Sequence, residues 1–175
     1  VEAGARWVRR DIAWYRVELE VGTFDFTRAD EVVDAELSAG VEVLAVLDYG
    51  HPAYADGANG DSTFPPDDAS DFGRYAAAGS HHFRGRVSAY EILNEPNFFL
   101  FWKPEPSPQA YAELAQEAAD RIRAADPDAT IVLGGSLGNW DTLSYEGQPW
   151  GFLEAVLAAR PDLLERVDAL AFHPY

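Results

Sequence analysis

Five short runs carrying β-branched residues recur along the chain and alternate with stretches of helical periodicity. They are Ala5–Ile12, Val41–Leu47, Val87–Leu93, Thr130–Gly134 and Val167–Phe172. Val41–Leu47 (VEVLAVL) is apolar at nearly every position, as a strand covered on both faces requires. No hairpin signal joins any two runs. Neighbouring strands must therefore pair in parallel through right-handed crossovers. The predicted order is β-α-β-α-β-α-β-α-β, an α/β fold.

The connecting segments carry their own start and stop signals. Thr27 is the predicted cap of the first helix, with Asp30 three residues on. Val32, Val33 and Leu37 form its apolar stripe, and Gly40 stands where it should end. A loop rich in Gly, Asp and Pro over Asp56–Asp68 precedes a weaker helix around Ala69–Ala78. Ser107-Pro108 is a strong helix start, Tyr111, Leu114, Ala115, Ala118 and Ile122 share one face, and Asp126-Pro127 stops that helix. Trp150–Ala159 reads as the last helix.

Two architectures suit such a pattern, a doubly wound open sheet and a barrel. Strand starts are spaced by about 40 residues, so eight units would make a barrel of roughly 320 residues, within its normal range. No GxGxxG follows the first strand and no Walker lysine loop is present, which disfavours a nucleotide-binding open sheet. Gly134-Gly135 fits neither phosphate-binding pattern. No linker divides the chain, so residues 1–175 read as one domain.

In parallel α/β folds the chemistry lies at the C-terminal ends of the strands. The third strand ends Tyr90-Glu91-Ile92-Leu93-Asn94-Glu95-Pro96-Asn97. A carboxylate directly after a buried strand is costly unless it is paired or used. Pro96 terminates the ladder, which frees both Asn94 and Glu95 to turn toward one mouth. There Glu95 could protonate a glycosidic oxygen and Asn94 could hydrogen-bond a sugar hydroxyl. A solvated Glu in a strand-ending loop is the plain alternative. Polar and aromatic groups also follow the other strands: Arg9, Asp11 and Trp14; Asp48, Tyr49 and His51; Ser136, Asn139 and Trp140; His173 and Tyr175. Arg9 could equally be a paired structural arginine and His173 a satisfied buried histidine. His81-His82 precedes a strand and reads as surface. Four scattered histidines without HExxH give no metal-binding pattern, and no cofactor is expected.

Composition narrows the partners. Thirteen basic against thirty acidic residues give a net charge of −17, which argues against nucleic acid and anionic membranes. No apolar run approaches the ~20 residues of a membrane span. A neutral ligand such as a sugar is compatible with this charge. The 5 Trp, 8 Tyr and 10 Phe supply ring faces of the kind sugars pack on, although most will be core. There is no Cys, so no disulfide is possible within these residues. The start at Val1, without Met or a signal pattern, reads as an internal cut, which leaves the compartment open, export included.

The segments Gly4–Trp14 (GARWVRRDIAW), Ile92–Asn97 (ILNEPN) and Ala171–Tyr175 (AFHPY), in this order and on strands, resemble clan A glycoside hydrolases. Within that clan the stretch Tyr90–Asn97, followed by Phe101-Trp102-Lys103-Pro104, is similar to glycoside hydrolase family 39 and to family 5-like catalytic domains. The resemblance implies a partial (β/α)₈ TIM barrel covering roughly strands 2 to 6, with the first strand and the last two missing. It implies that Glu95 is the general acid/base and that Asn94 binds the sugar 2-hydroxyl. Arg9 matches the arginine that orients the nucleophile, and His173 and Tyr175 match a sixth-strand pair near it. Trp14, His51 and Tyr54 are carried over more loosely as cleft residues.

The family's nucleophile is a Glu on the seventh strand, beyond this chain, and none of Glu2, Glu18, Glu20 or Glu146 lies where it belongs. The implied activity is retaining hydrolysis of β-linked glycosides or polysaccharides, xylosidase-like among other readings. A carbohydrate-binding barrel with a decayed site and an unrelated open-sheet enzyme are the competing readings. Sugar, linkage and oligomeric state are not legible. An incomplete barrel would expose two sheet edges, so poor solubility of this segment alone is expected.

Overall fold

The computed structural model describes residues 4–138 and 149–174. Five strands make one parallel sheet: β1 (Trp7–Ala13), β2 (Glu42–Asp48), β3 (Ala89–Ile92), β4 (Thr130–Gly138) and β5 (Ala169–Pro174). Between them run α1 (Trp14–Val17), α2 (Thr27–Ser38), α3 (Ala69–Phe83), α4 (Pro108–Ala125) and α5 (Pro149–Ala159). The spatial order is β1-β2-β3-β4-β5. Each crossover therefore steps one strand in the same direction. A doubly wound sheet must reverse at a switch point, whereas a barrel winds monotonically. The order decides between the two architectures foreseen from the sequence in favour of the partial barrel.

Strand pleating sorts the side chains. Val43, Ala45 and Leu47 of β2 and Tyr90 and Ile92 of β3 join Phe72, Tyr75, Phe83, Tyr111, Leu114 and Ile122 in one core under the helices. The alternate residues point to the helix-free face. Register aligns Asp11, Val46, Glu91 and Val132 in one row of that face, with Arg9 two residues before Asp11 and Asp48 two after Val46. A charged stripe thus runs along what would be the barrel interior.

Helix starts follow the predicted signals with one shift. Ser107 caps α4, its Oγ accepting the Ala110 N–H at 3.3 Å. Asp68 caps α3, which runs on to Phe83 rather than ending near Ala78, because Tyr75, Ala76, Gly79 and Phe83 all bury into the core. Thr27 is the first residue of α2 rather than its cap; Asp25 accepts the Thr27 N–H at 2.9 Å. His82 is tied to Asp30 at 2.8 Å on the outside of the helix layer, away from the strand ends. No described helix is long and apolar enough to cross a membrane.

Candidate active site

β3 stops at Ile92, and the chain leaves the sheet through two left-handed residues, Leu93 (φ 63) and Glu95 (φ 45). Non-glycine residues rarely enter this region, at a cost of about 1–3 kcal/mol each, and such outliers concentrate at functional sites. Three backbone bonds hold the turn. Leu93 N–H donates to Leu47 O at 3.0 Å, Glu95 N–H to Gly135 O at 2.9 Å, and Phe98 N–H to Glu95 O at 2.9 Å. The consequence is that two consecutive side chains reach opposite neighbours within one mouth. Asn94 Oδ1 accepts from Arg9 Nη2 of β1 at 2.8 Å. Glu95 Oε1 lies 2.7 Å from His173 Nδ1 of β5. Glu95 is only 6% exposed, so it is not a solvated loop residue.

Arg9 is oriented from below. Its Nε donates to Glu91 Oε2 at 2.7 Å and its Nη2 to Glu91 Oε1 at 2.9 Å. Glu91 is fully buried, and Oε1 also accepts the Gly135 N–H at 2.9 Å. One carboxylate therefore joins β1, β3 and β4. The bidentate fork is a strong pairing, and its hydrogen bonds push the Arg9 guanidinium still higher than usual, against the opposing effect of burial. On the helix side Tyr111 of α4 does similar work: its hydroxyl donates to Ile92 O at 3.0 Å and accepts the Gly134 N–H at 2.9 Å.

Gly134 and Gly135 sit at the irregularity in the β4–β5 register. A Cβ on Gly134 would strike the carbonyls of Ile92 and Leu93, and one on Gly135 would strike the His173 ring. Glycine here lets β4 approach the Asn94–Glu95 turn. Overpacking typically costs about 1–3 kcal/mol. Gly135→Ala should therefore lower the unfolding free energy by about that amount and displace the His173 ring signals in an NMR spectrum. Unmoved ring signals would contradict this packing.

The structure brings Arg9, Asn94, Glu95 and His173 together as the sequence suggested. It sends Trp14, His51 and Tyr54 elsewhere. Trp14 is completely buried, stacked at 5.1 Å on Tyr54 and at 5.4 Å on Tyr75, with its indole N–H on Glu18. His51 Nε2 meets Glu18 O at 2.7 Å and its Nδ1 accepts the Ala53 N–H. Tyr54 donates to Glu18 Oε1 at 2.6 Å. These three are packed around a buried carboxylate, so the expectation that Trp14 and His51 contact substrate is withdrawn. Tyr175, Asn139 and Trp140 lie outside the described residues.

Sequence reasoning missed Glu91, Gly135 and Glu18. Glu91 carried a signal, being the one carboxylate within an otherwise buried strand, where a partner is obligatory. Gly134-Gly135 fits no phosphate-binding pattern, but paired glycines in a strand also mark close backbone approach. Glu18 has local partners in Trp14 and Gly22, four residues to either side, but the cluster is completed by Tyr54 and Arg74 from distant segments.

The whole chain, residues 1–175, matches the family described as cellulase, glycosyl hydrolase family 5. A β-xylosidase of Geobacillus stearothermophilus is 27% identical over 150 residues, 72% of this chain and 29% of that protein. A family 39 glycoside hydrolase from Bacteroides cellulosilyticus superposes with a TM-score of 0.74 at 24% identity, over 99% of this chain and 33% of that one. A family 39 β-xylosidase from Caulobacter crescentus does so with a TM-score of 0.71 at 25% identity, over 97% and 40%. The chain thus spans about a third of the length of these relatives. Its fold is that of part of their TIM barrels, and by its match along every residue the chain belongs to the cellulase family, glycosyl hydrolase family 5.

Proposed function

We propose that the protein carrying this chain hydrolyses β-linked O-glycosides with retention, and that Glu95 is its general acid/base. The observation that carries this reading is the pairing of a nearly buried Glu95 with His173 at 2.7 Å, beside an Asn94 fixed by Arg9. With Oε1 engaged by His173, Glu95 would pass a proton to the departing glycosidic oxygen as a nucleophilic carboxylate, supplied from outside this chain, attacks the anomeric carbon. In the second step it would take a proton from water, which then displaces the enzyme carboxylate. Asn94 Oδ1 is occupied by Arg9, so its amide hydrogens are the groups free to donate to a sugar hydroxyl. The β-xylosidases among the relatives make β-xylosides the first substrates to offer, before β-glucosides and cellulose.

The test follows the anomer of the released sugar by proton NMR in the full-length protein. Initial release of the β-anomer from a β-glycoside is expected. Initial release of the α-anomer would refute retention, and no turnover on any β-glycoside would favour a binding barrel instead.

A further inference from the structure

Asp48 closes β2 at the mouth and is 1% exposed. Its Oδ1 accepts two backbone N–H groups, from Tyr49 at 2.8 Å and from Asn94 at 3.1 Å. The second bond is the direct side-chain tie between the end of β2 and the Asn94–Glu95 turn. Both strands leave the sheet through left-handed residues here, Tyr49 (φ 63) on one side and Leu93 (φ 63) and Glu95 (φ 45) on the other. A peptide held in such a conformation needs support from its surroundings. The Asn94 N–H lies between the two left-handed residues of the turn, so its bond to Asp48 fixes the peptide plane from which both functional side chains depart. Asp48 Oδ2 is buried and has no hydrogen-bond partner among the described residues. A carboxylate oxygen without donors is poorly placed to hold negative charge, so the site suits the neutral acid.

We propose that Asp48 is a positioning residue for catalysis, an uncharged carboxyl group that holds the Asn94 peptide and thereby aims Glu95 at the leaving-group oxygen. It rests on Glu95 being the acid/base. The groups facing it are Arg9 and Asp11 of β1, Tyr75 of α3 and the adjacent Tyr49. Burial raises its pKa to about 7, with Asp11 adding to the rise and the two N–H bonds and Arg9 opposing it. Near neutrality Asp48 therefore gains a charge that Asn94 and Glu95 must tolerate. An asparagine would offer the same acceptor to both N–H groups and would not titrate.

The experiment compares Asp48→Ala, Asp48→Asn and Glu95→Gln in the full-length protein, on aryl glycosides whose leaving groups span several units of acidity. If Asp48 aims the proton donor, Asp48→Ala costs about tenfold or more in kcat/KM, which reports the step that breaks the glycosidic bond, on poor leaving groups and little on activated ones. Asp48→Asn then restores most of that loss and removes an ionisation near neutrality from the kcat/KM profile. An equal loss on all leaving groups means a structural role only and overturns the proposal. Glu95→Gln separates the two claims. If it depends on the leaving group and Asp48→Ala does not, the positioning role fails while the acid/base role stands. If Glu95→Gln shows no such dependence, the acid/base reading itself is wrong. Should Asp48→Ala not fold, the Asp48→Asn profile decides, and an unchanged profile overturns the proposal.

Discussion

Replacing Glu95 by Gln in the full-length protein should lower kcat/KM on substrates with poor leaving groups by ~10² or more and leave kcat/KM on strongly activated aryl glycosides much less affected. The amide keeps the volume and can still pair with His173, so binding should change little. It has no proton to give the departing oxygen. The loss is therefore confined to steps in which Glu95 moves a proton: in the first its size follows the basicity of the leaving group, and in the second it is the same for every substrate. Glu95→Ala should show the same pattern, and added azide should accelerate turnover of activated substrates by trapping the glycosyl-enzyme without a general base. The pairing at 2.7 Å predicts a second consequence. His173→Ala removes the partner of Oε1, so the acid/base loses its fixed aim, and kcat should fall by about tenfold or more with KM less changed. Steady-state kinetics across a leaving-group series measures both. A loss below tenfold for Glu95→Gln on the least activated substrates would sink the assignment.

The parts of the molecule that were legible in advance are those set by local rules. Periodicity and cap residues gave five strands and their helices, since each depends on neighbours within a few positions. The turn at Asn94-Glu95-Pro96 was readable because Pro96 bars the strand from running on, although the ladder already ends at Ile92, four residues earlier. What the spacing left open was whether the strands wind one way or reverse, and only the order β1 to β5 settles that. The loosely assigned cleft aromatics failed for a physical reason. Trp14 follows a strand end, but it opens a short helix and turns back beneath the loops, where Tyr54 and Tyr75 sandwich it. Position after a strand brings a residue to the correct end of the fold and says nothing about which way its side chain faces. Glu91 shows the converse: it lies inside a strand, yet it sets the orientation of Arg9. Partners separated by eighty residues leave no mark in a local pattern.

Loss of Glu18 should be the most damaging single change to stability outside the mouth. Its side chain is completely buried and accepts from the Trp14 indole, the Tyr54 hydroxyl at 2.6 Å, the Gly22 N–H at 2.6 Å and Arg74 Nη1 at 3.1 Å. Its own carbonyl meets His51 Nε2. The carboxylate thus joins the β1–α2 connection, the β2–α3 loop and α3. Glu18→Ala leaves those donors facing a cavity, and removing one partner of a buried ionic cluster costs roughly 3–5 kcal/mol. For a domain of this size that corresponds to about 10 °C or more in Tm. Glu18→Gln keeps the volume but turns two amide hydrogens toward groups that are themselves donors, so it too should destabilise, by a smaller amount. Burial alone would raise the pKa of this group; the bonds from Tyr54, Trp14, Gly22 and Arg74 outweigh it and hold Glu18 below the usual glutamate value. A carboxylate depressed in the folded state stabilises fully above its unfolded value, about 4.3, and that contribution fades as pH falls through the lower folded value. Urea unfolding of the full-length protein at pH 7 and at pH 3 should therefore show a gap between wild type and Glu18→Gln that narrows in acid. A gap that is constant across that range would mean the cluster is held by packing, with the charge of Glu18 contributing nothing.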